Sequence, residues 1–317
     1  MKISLAPLQG LTEFPFRNAM HELIGGPDQY YTPFLRLESD GTLKKKYLKD
    51  LHPDNNKDVP LIPQILVNSS TDFLFLAKIN EGFGYSELNW NLGCPFPMVA
   101  KRKLGSGLIP YPQEIKQLLE TALPKTRLQV SIKIRAGYLE PNEIFPVLEA
   151  LEPLPIKEIV LHPRIGKQMY HGTADATIYE EALKKTSHVL GYNGDIDSIA
   201  SYQALYNRFP DCPHWMIGRA LVGNPFLAAE IKANQLMDTE KKRKLFEAFH
   251  ETLVTHYRKV LEGDGHLHTK MIHFWEYFAN LFEDSHKVYK PIKKSKNFNA
   301  CHAAISFAIR NEPLKNE

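Results

Sequence analysis

Residues 188–219 read HVLGYNGDIDSIASYQALYNRFPDCPHWMIGR, and this stretch decides the fold. An apolar run at 188–193 ends in Asn193-Gly194-Asp195. A helical pattern follows at 197–205, opened by Asp197 as a plausible cap. A second apolar run at 214–218 then ends in Gly218-Arg219. Strand, helix and strand in that order make a parallel crossover unit. Working outward, the same alternation recurs. Six further β-branched or aromatic runs lie at 3–7, 30–37, 61–66, 86–91, 128–135 and 158–162. Amphipathic stretches separate them. In 113–123, Ile115, Leu118, Leu119 and Ala122 recur at helical spacing; in 142–151, Ile144, Val147, Leu148 and Leu151 do so, with Pro146 confined to the first turn. Eight strand–helix units predict an α/β fold, a (β/α)8 TIM barrel. A doubly wound sheet is the structural alternative.

After Ala228 the alternation stops. Residues 239–257 read as one amphipathic helix, with Leu245, Phe249, Leu253 and His256 on a face and Lys241 to Lys244 at its start. Two more helices are expected at 271–282 and 299–309. The chain therefore divides into a barrel domain, 1–238, and a small all-α helical domain, 239–317, joined through 235–239. Residues 241–317 carry 14 Lys and Arg against 9 Asp and Glu, so the whole basic excess of this +3 chain lies there. A basic module behind a near-neutral body suits a polyanionic partner, and equally a solvated helical surface.

The 317 residues are 43% hydrophobic and 24% charged, which excludes a disordered chain. No run is long and apolar enough for a membrane span, and the start MKISLAPLQG has no signal-peptide character. Cys94, Cys212 and Cys301 show no CxxC spacing, so neither a disulfide framework nor a metal site is expected, and the protein reads as reduced and cytoplasmic.

A barrel carries its chemistry at the C-terminal ends of its strands. Those ends hold Ala6-Pro7-Leu8-Gln9-Gly10, then Gln64, then Asn89-Trp90-Asn91-Leu92-Gly93-Cys94-Pro95, then Lys133 within Ser131 to Arg135, then His162, Asn193-Gly194-Asp195 and Gly218-Arg219. Singly, a strand lysine is more often an ion-paired residue and a histidine a satisfied core residue. Polar groups at the same end of seven runs are harder to assign to packing. Glycines after strands 7 and 8 let backbone N–H groups approach a phosphate, and Arg219 can fork onto its oxygens. With Lys133 near a ring edge and Gln64 at a pyrimidine edge, the set suits FMN. A phosphorylated sugar would satisfy the phosphate corner equally. Cys94 sits in a turn, where a mostly protonated thiol can serve as general acid or as nucleophile. The loop Lys101-Arg102-Lys103-Leu104-Gly105-Ser106-Gly107 is either a clamp on an anionic substrate or a solvated turn.

Taken together, these motifs resemble the tRNA-dihydrouridine synthase family. The resemblance is carried by Ala6 to Thr12, Leu88 to Gly107 around Asn91-Leu92-Gly93-Cys94-Pro95, Val130 to Arg135, His162-Pro163-Arg164 with Gln168, Tyr170, Gly172, Ala174 and Asp175, Gly191 to Ile196, and Ile217 to Leu221 with Asn224-Pro225. It implies that NADPH reduces tightly bound FMN, that the flavin gives hydride to C6 of a uracil, and that Cys94 protonates C5. The target base must leave its stack. It further implies Lys133 and His162 at flavin and uracil, Asn193, Gly194, Asp195, Gly218 and Arg219 at the FMN phosphate, and Pro7, Leu8, Gln9 and Gln64 at the isoalloxazine. Leu8, Gln9, Glu13 and the His162-Pro163-Arg164-Ile165 run depart from the usual family residues.

Within the family, Thr32-Pro33-Phe34-Leu35-Arg36 and Leu261-Glu262-Gly263-Asp264 with His268, Ile272 and Trp275 resemble the branch acting on uridine 16 of the D-loop. The tRNA contacts expected on this basis are Asn91, Arg36, Lys101, Arg102, Lys270, His273, Lys293, Lys294 and Lys296, on a monomer. The last three belong to a lysine cluster flanked by Tyr289 and Phe298, where lysines can neutralise phosphates and aromatics stack on bases. Two other readings stand beside this one: an FMN barrel acting on a small molecule, similar to dihydroorotate dehydrogenase, and a non-catalytic RNA-binding barrel.

Overall fold

The computed structural model describes residues 1–38 and 40–315. Its strands, all parallel, are β1 (Lys2–Leu5), β2 (Gln29–Tyr31), β3 (Leu61–Ile62), β4 (Gln64–Ile65), β5 (Glu87–Leu92), β6 (Gln129–Gly137), β7 (Ile156–Ile165), β8 (Leu190–Asn193) and β9 (His214–Ile217). Their order is β3-β2-β1-β9-β8-β7-β6-β5-β4. The two ends of that order are one stretch of chain, because only Pro63 separates β3 from β4. Eight predicted runs thus become nine strands, and the sheet closes on itself as a TIM barrel. Proline has no N–H to give the ladder. The neighbouring chain closes the gap: Gln64 donates its backbone N–H to Thr32 Oγ1 (2.8 Å), and Asn89 N–H reaches Pro63 O (2.8 Å).

The strands are short apolar runs buried on both faces, as parallel strands between a packed interior and an outer helical layer must be. The run expected at 30–37 pairs fully only over β2. Pro33 interrupts it, and Leu35 rejoins the barrel through a single bridge to Ile65. The helix after β8, Ile199–Arg208, is capped by Ser198, not Asp197: Ser198 Oγ accepts from Ser201 N–H, and Ser201 Oγ accepts from Ser198 N–H. A capping box thereby displaces the acidic cap read from sequence. Pro146 lies in the first turn of Ile144–Leu151, the position where its missing N–H costs nothing.

Helices Thr239–Arg258, Gly263–Phe278, Ser285–Lys293 and Phe298–Asn311 follow the barrel. The second begins eight residues earlier than its periodicity suggested, and Ser285–Lys293 was not anticipated as a helix. They dock through aromatic rings. Phe16, after β1, stacks on Phe274 (5.4 Å between centroids, 7° between planes) and meets Phe249 edge-on (5.8 Å). One hydrophobic cluster runs without a break from the barrel into this helical region. Polar contacts reinforce the seam: Lys270 Nζ pairs with Glu13 (2.8 Å), which also accepts from Tyr257 Oη (3.1 Å).

Arg17 is fully buried beneath the same seam. It donates to Thr12 O, Asp50 O, Asp50 Oδ2 and Asn56 Oδ1 at 2.7–3.1 Å. Burial already pushes the Asp50 carboxyl up against the pull of Arg17. Arg17→Met leaves Asp50 Oδ2, Thr12 O and Asn56 Oδ1 without their donor, so stability falls by about 3–5 kcal/mol. Chemical denaturation of the two proteins checks this.

Candidate active site

A cavity of about 560 Å³ opens at the C-terminal mouth of the barrel. Its floor is built by alternate residues of neighbouring strands, which share the inner face. Lys133 on β6 donates to Asn193 Oδ1 on β8 (2.6 Å), and Asn193 Nδ2 is tied to Met216 O on β9 (2.7 Å). Burial, with Arg135 beside it, pushes the Lys133 ammonium down to about 7. Burial, and after it the charges of Lys133, Arg135, Arg164 and Arg219, hold the imidazole of His162 on β7 well below its ordinary value. Arg164 Nη1 lies 3.1 Å from His162 Nε2. A guanidinium can only donate, so Nε2 is the acceptor and the neutral ring carries its proton on Nδ1.

The corner formed by the ends of β8 and β9 favours anions. At Gly194 a Cβ would stand 2.8 Å from Ala174 Cβ, so glycine lets that turn pack. Asp195 follows with φ +43°, a left-handed conformation that aspartate tolerates better than most residues. Its carboxylate does not face an open anion site. It accepts a two-pronged bond from Arg164 Nη2 (2.7 and 2.8 Å) and another from Ala174 N–H (2.6 Å). The Asp195 side chain therefore anchors Arg164, while Gly194, Gly218 and Arg219 line the cavity beside it. Arg219 lies 4.5 Å from the Tyr170 ring, with Arg135 against the same ring at 5.3 Å.

Cys94 lies on the opposite wall, in the turn after β5, and burial pushes its thiol up. Three elements fix that turn. Asn91 Oδ1 accepts from both Gly93 and Cys94 N–H (2.9 Å each). Arg135 Nε donates to Gly93 O (3.0 Å), and Ser106 donates to Cys94 O through its N–H and its hydroxyl (3.0 Å each). Gly105 is required there: it has φ +57°, and a Cβ would stand 2.6 Å from Cys94 O. The glycine-containing loop thus buttresses Cys94 from behind.

Pro7, Leu8 and Gln9 line the cavity, and so do Asn91, Gly218 and His273. Gln64 does not. It is fully buried, with Oε1 accepting from Asn91 Nδ2 (2.7 Å) and Nε2 donating to Asn89 Oδ1 (2.8 Å). Its place is behind Asn91, not at a ligand edge. Lys270, expected at RNA, is held by Glu13 and Gly10 O (3.1 Å) at the seam. Arg36, Lys101 and Arg102 lie outside the cavity wall, Lys101 and Arg102 exposed. Lys293, Lys294 and Lys296 are exposed at the end of Ser285–Lys293 and in the turn that follows. Sequence reasoning passed over Arg135 and Arg164 as site residues. Each stands two places beyond Lys133 or His162 on the same strand, and that period-two offset was the available signal. Tyr277, contributed with His273 by the helical region, carried no such signal.

A parallel barrel whose mouth joins a half-buried lysine, a buried thiol and a glycine–arginine corner defines a TIM-barrel site with a corner suited to an anion. A family model for dihydrouridine synthases matches residues 4–310, and the chain belongs to that family. Similar proteins include tRNA-dihydrouridine synthase B of Klebsiella pneumoniae and of Escherichia coli K12. Each is 27% identical over 237 residues, covering 73% of this chain and 71% of that protein. Among solved structures, the old yellow enzyme of Trypanosoma cruzi superposes with a TM-score of 0.53 at 11% identity, over 75% of this chain and 89% of that one. Histamine dehydrogenase of Rhizobium sp. 4-9 gives 0.54 at 11%, over 79% and 49%. These two likenesses concern the barrel fold.

Proposed function

We propose that this protein reduces the C5–C6 bond of a D-loop uridine in tRNA, at position 16, with FMN as bound cofactor and NADPH as reductant. The observation that carries the reading is the meeting of Cys94 and Lys133 in one cavity of the family barrel. The cavity fits a flavin nucleotide: Gly218 and Arg219 offer an anion corner, and Lys133 offers a buried amine whose charge an anionic ring edge would retain. Bound there, FMN would accept hydride from NADPH and pass it to uracil C6. Lys133 and His162 would hold the ring and the uracil carbonyls. Cys94, a thiol kept protonated by burial, would deliver its proton to C5. Pro7, Leu8 and Gln9 would border the isoalloxazine, and Phe96, half exposed on the cavity lip beside Cys94, would flank the extruded base.

We assign catalysis to residues 1–238 and tRNA binding to 239–317, with the protein acting as a cytoplasmic monomer. Among the described residues no helix is long and apolar enough to cross a membrane. The exposed Lys293, Lys294 and Lys296 would neutralise phosphates. Replacing all three with Gln weakens tRNA binding most at low salt and makes the slope of log K against log [salt] shallower by about 0.9 for each lost phosphate contact. Flavin reduction by NADPH is unchanged. Filter binding across a salt series and stopped-flow absorbance read the two effects.

The deciding experiment is dihydrouridine mapping of tRNA from cells with and without the gene, together with the visible spectrum of the purified protein. Loss of signal at position 16 and a flavin spectrum support the proposal. A yellow protein that reduces free pyrimidines and leaves the tRNA map unchanged replaces it with the small-molecule reductase.

A further inference from the structure

Inside the barrel, five polar side chains join in single file. Asn91 Nδ2 donates to Gln64 Oε1 (2.7 Å), Gln64 Nε2 to Asn89 Oδ1 (2.8 Å), Asn89 Nδ2 to Ser131 Oγ (2.9 Å), and Ser131 Oγ to Glu87 Oε1 (2.7 Å). The other Glu87 oxygen accepts from Lys157 Nζ at 2.5 Å. All five residues are buried, and Gln64, Asn89 and Ser131 are fully so. Glu87, Asn89 and Asn91 stand at alternate positions of β5 and share its inner face. Gln64 and Ser131 are the cross-strand partners of Asn89 in β4 and β6.

Every link donates in the same sense. An ion-paired carboxylate can only accept, so Ser131 must donate to Glu87 and accept from Asn89. Asn89 then turns its oxygen to Gln64, and Gln64 turns its own oxygen to Asn91. That leaves Asn91 Oδ1 facing the Gly93 and Cys94 N–H groups, which can only donate. Reversing any one amide opposes two donors or two acceptors in a water-free interior, which costs far more than at a surface.

We infer that Glu87, acting through Ser131, Asn89 and Gln64, is a positioning residue that sets the Asn91 side chain and with it the turn presenting Cys94. Neither Glu87 nor Ser131 lines the cavity. The purpose of presenting Cys94 rests on the reading above; the relay itself does not.

Ser131→Ala removes the link between Asn89 and Glu87 while leaving the cavity wall untouched. The expected result is at least tenfold faster amide hydrogen exchange at Gly93 and Cys94, read by NMR without tRNA or NADPH, while exchange in β6 and β7 is unchanged. Uridine reduction slows with it, and flavin affinity holds. Ser131→Thr, which keeps the hydroxyl, restores the protection. Glu87→Gln supplies the same test if the Ala variant does not fold. Unchanged exchange at Gly93 and Cys94 overturns the inference. Faster exchange spread evenly through the barrel overturns it too, since that marks a purely structural contact. A wild type that binds no flavin and reduces no tRNA refutes the proposed function but leaves these exchange outcomes readable.

Discussion

Cys94→Ala is expected to slow uridine reduction by about 10²- to 10⁴-fold, the range a positioned general acid contributes. Flavin content and flavin reduction by NADPH should match the parent, because the turn is held by Asn91, Arg135 and Ser106 through backbone atoms that alanine retains. Pre-steady-state absorbance separates the two half-reactions: the first keeps its rate and the second stalls after addition of tRNA. Near-normal turnover would remove Cys94 from the proton path. The pH dependence has a definite sign. Burial raises the thiol above its ordinary value, so the parent's second half-reaction is flat through neutral pH and falls only on the alkaline side, as the proton is lost.

Lys133→Met is expected to lower the rate of flavin reduction by about 10²- to 10³-fold, as loss of one preorganised charge at a developing anion does. Flavin affinity also weakens. Here too pH gives a sign that can be worked through. The Lys133 pKa falls from 10.5 to about 7 on folding. Between these values the unfolded chain holds a proton that the cofactor-free folded protein lacks, so this group makes stability rise with pH across that window. The Met variant loses that rise, and denaturation midpoints at pH 7 and pH 10 measure it. An anionic ring edge against the amine opposes deprotonation, so binding takes up a proton above about pH 7, and parent affinity falls as pH climbs. A variant with parental flavin reduction would place the anion-stabilising charge elsewhere, with Arg135 or Arg219 as the next groups to replace.

The arginines show where sequence reading runs short. Lys133 and His162 stood out as polar residues within or at the end of apolar runs. Arg135 and Arg164 each follow by two on the same strand and enter the same cavity, but a strand-end arginine reads equally as a solvated rim. Asp195 was legible as part of a phosphate corner. Its actual partner, Arg164, is 31 residues away in sequence and is brought to it by the β7–β8 neighbourhood. Gln64 stands out for the right reason, an amide in an apolar run, but its neighbours are Asn89 and Asn91 on the adjacent strand β5, which claim its amide. Lys270 looked like an RNA contact because a lysine on a basic helix has no visible partner in one dimension. Glu13, 257 residues earlier, supplies that partner at the seam. Ser198 displaced Asp197 as cap through a reciprocal bond with Ser201 that spacing alone did not single out.

The order of the elements, the barrel class and the motif ends that carry Cys94, Lys133, Asn193 and Arg219 were determined by the sequence itself. They depend on local periodicity and on the rule that parallel strands deliver their chemistry at one end. Tertiary structure alone decided which polar groups remain free. Hydrogen-bond and charge partners are chosen across the barrel and across the seam with the helical region. In a water-poor interior each donor and acceptor must be satisfied by whatever closure brings near. Closure of the sheet at Pro63 made Gln64 part of a relay to the Cys94 turn, and docking of the helical region spent Lys270 and admitted His273 and Tyr277.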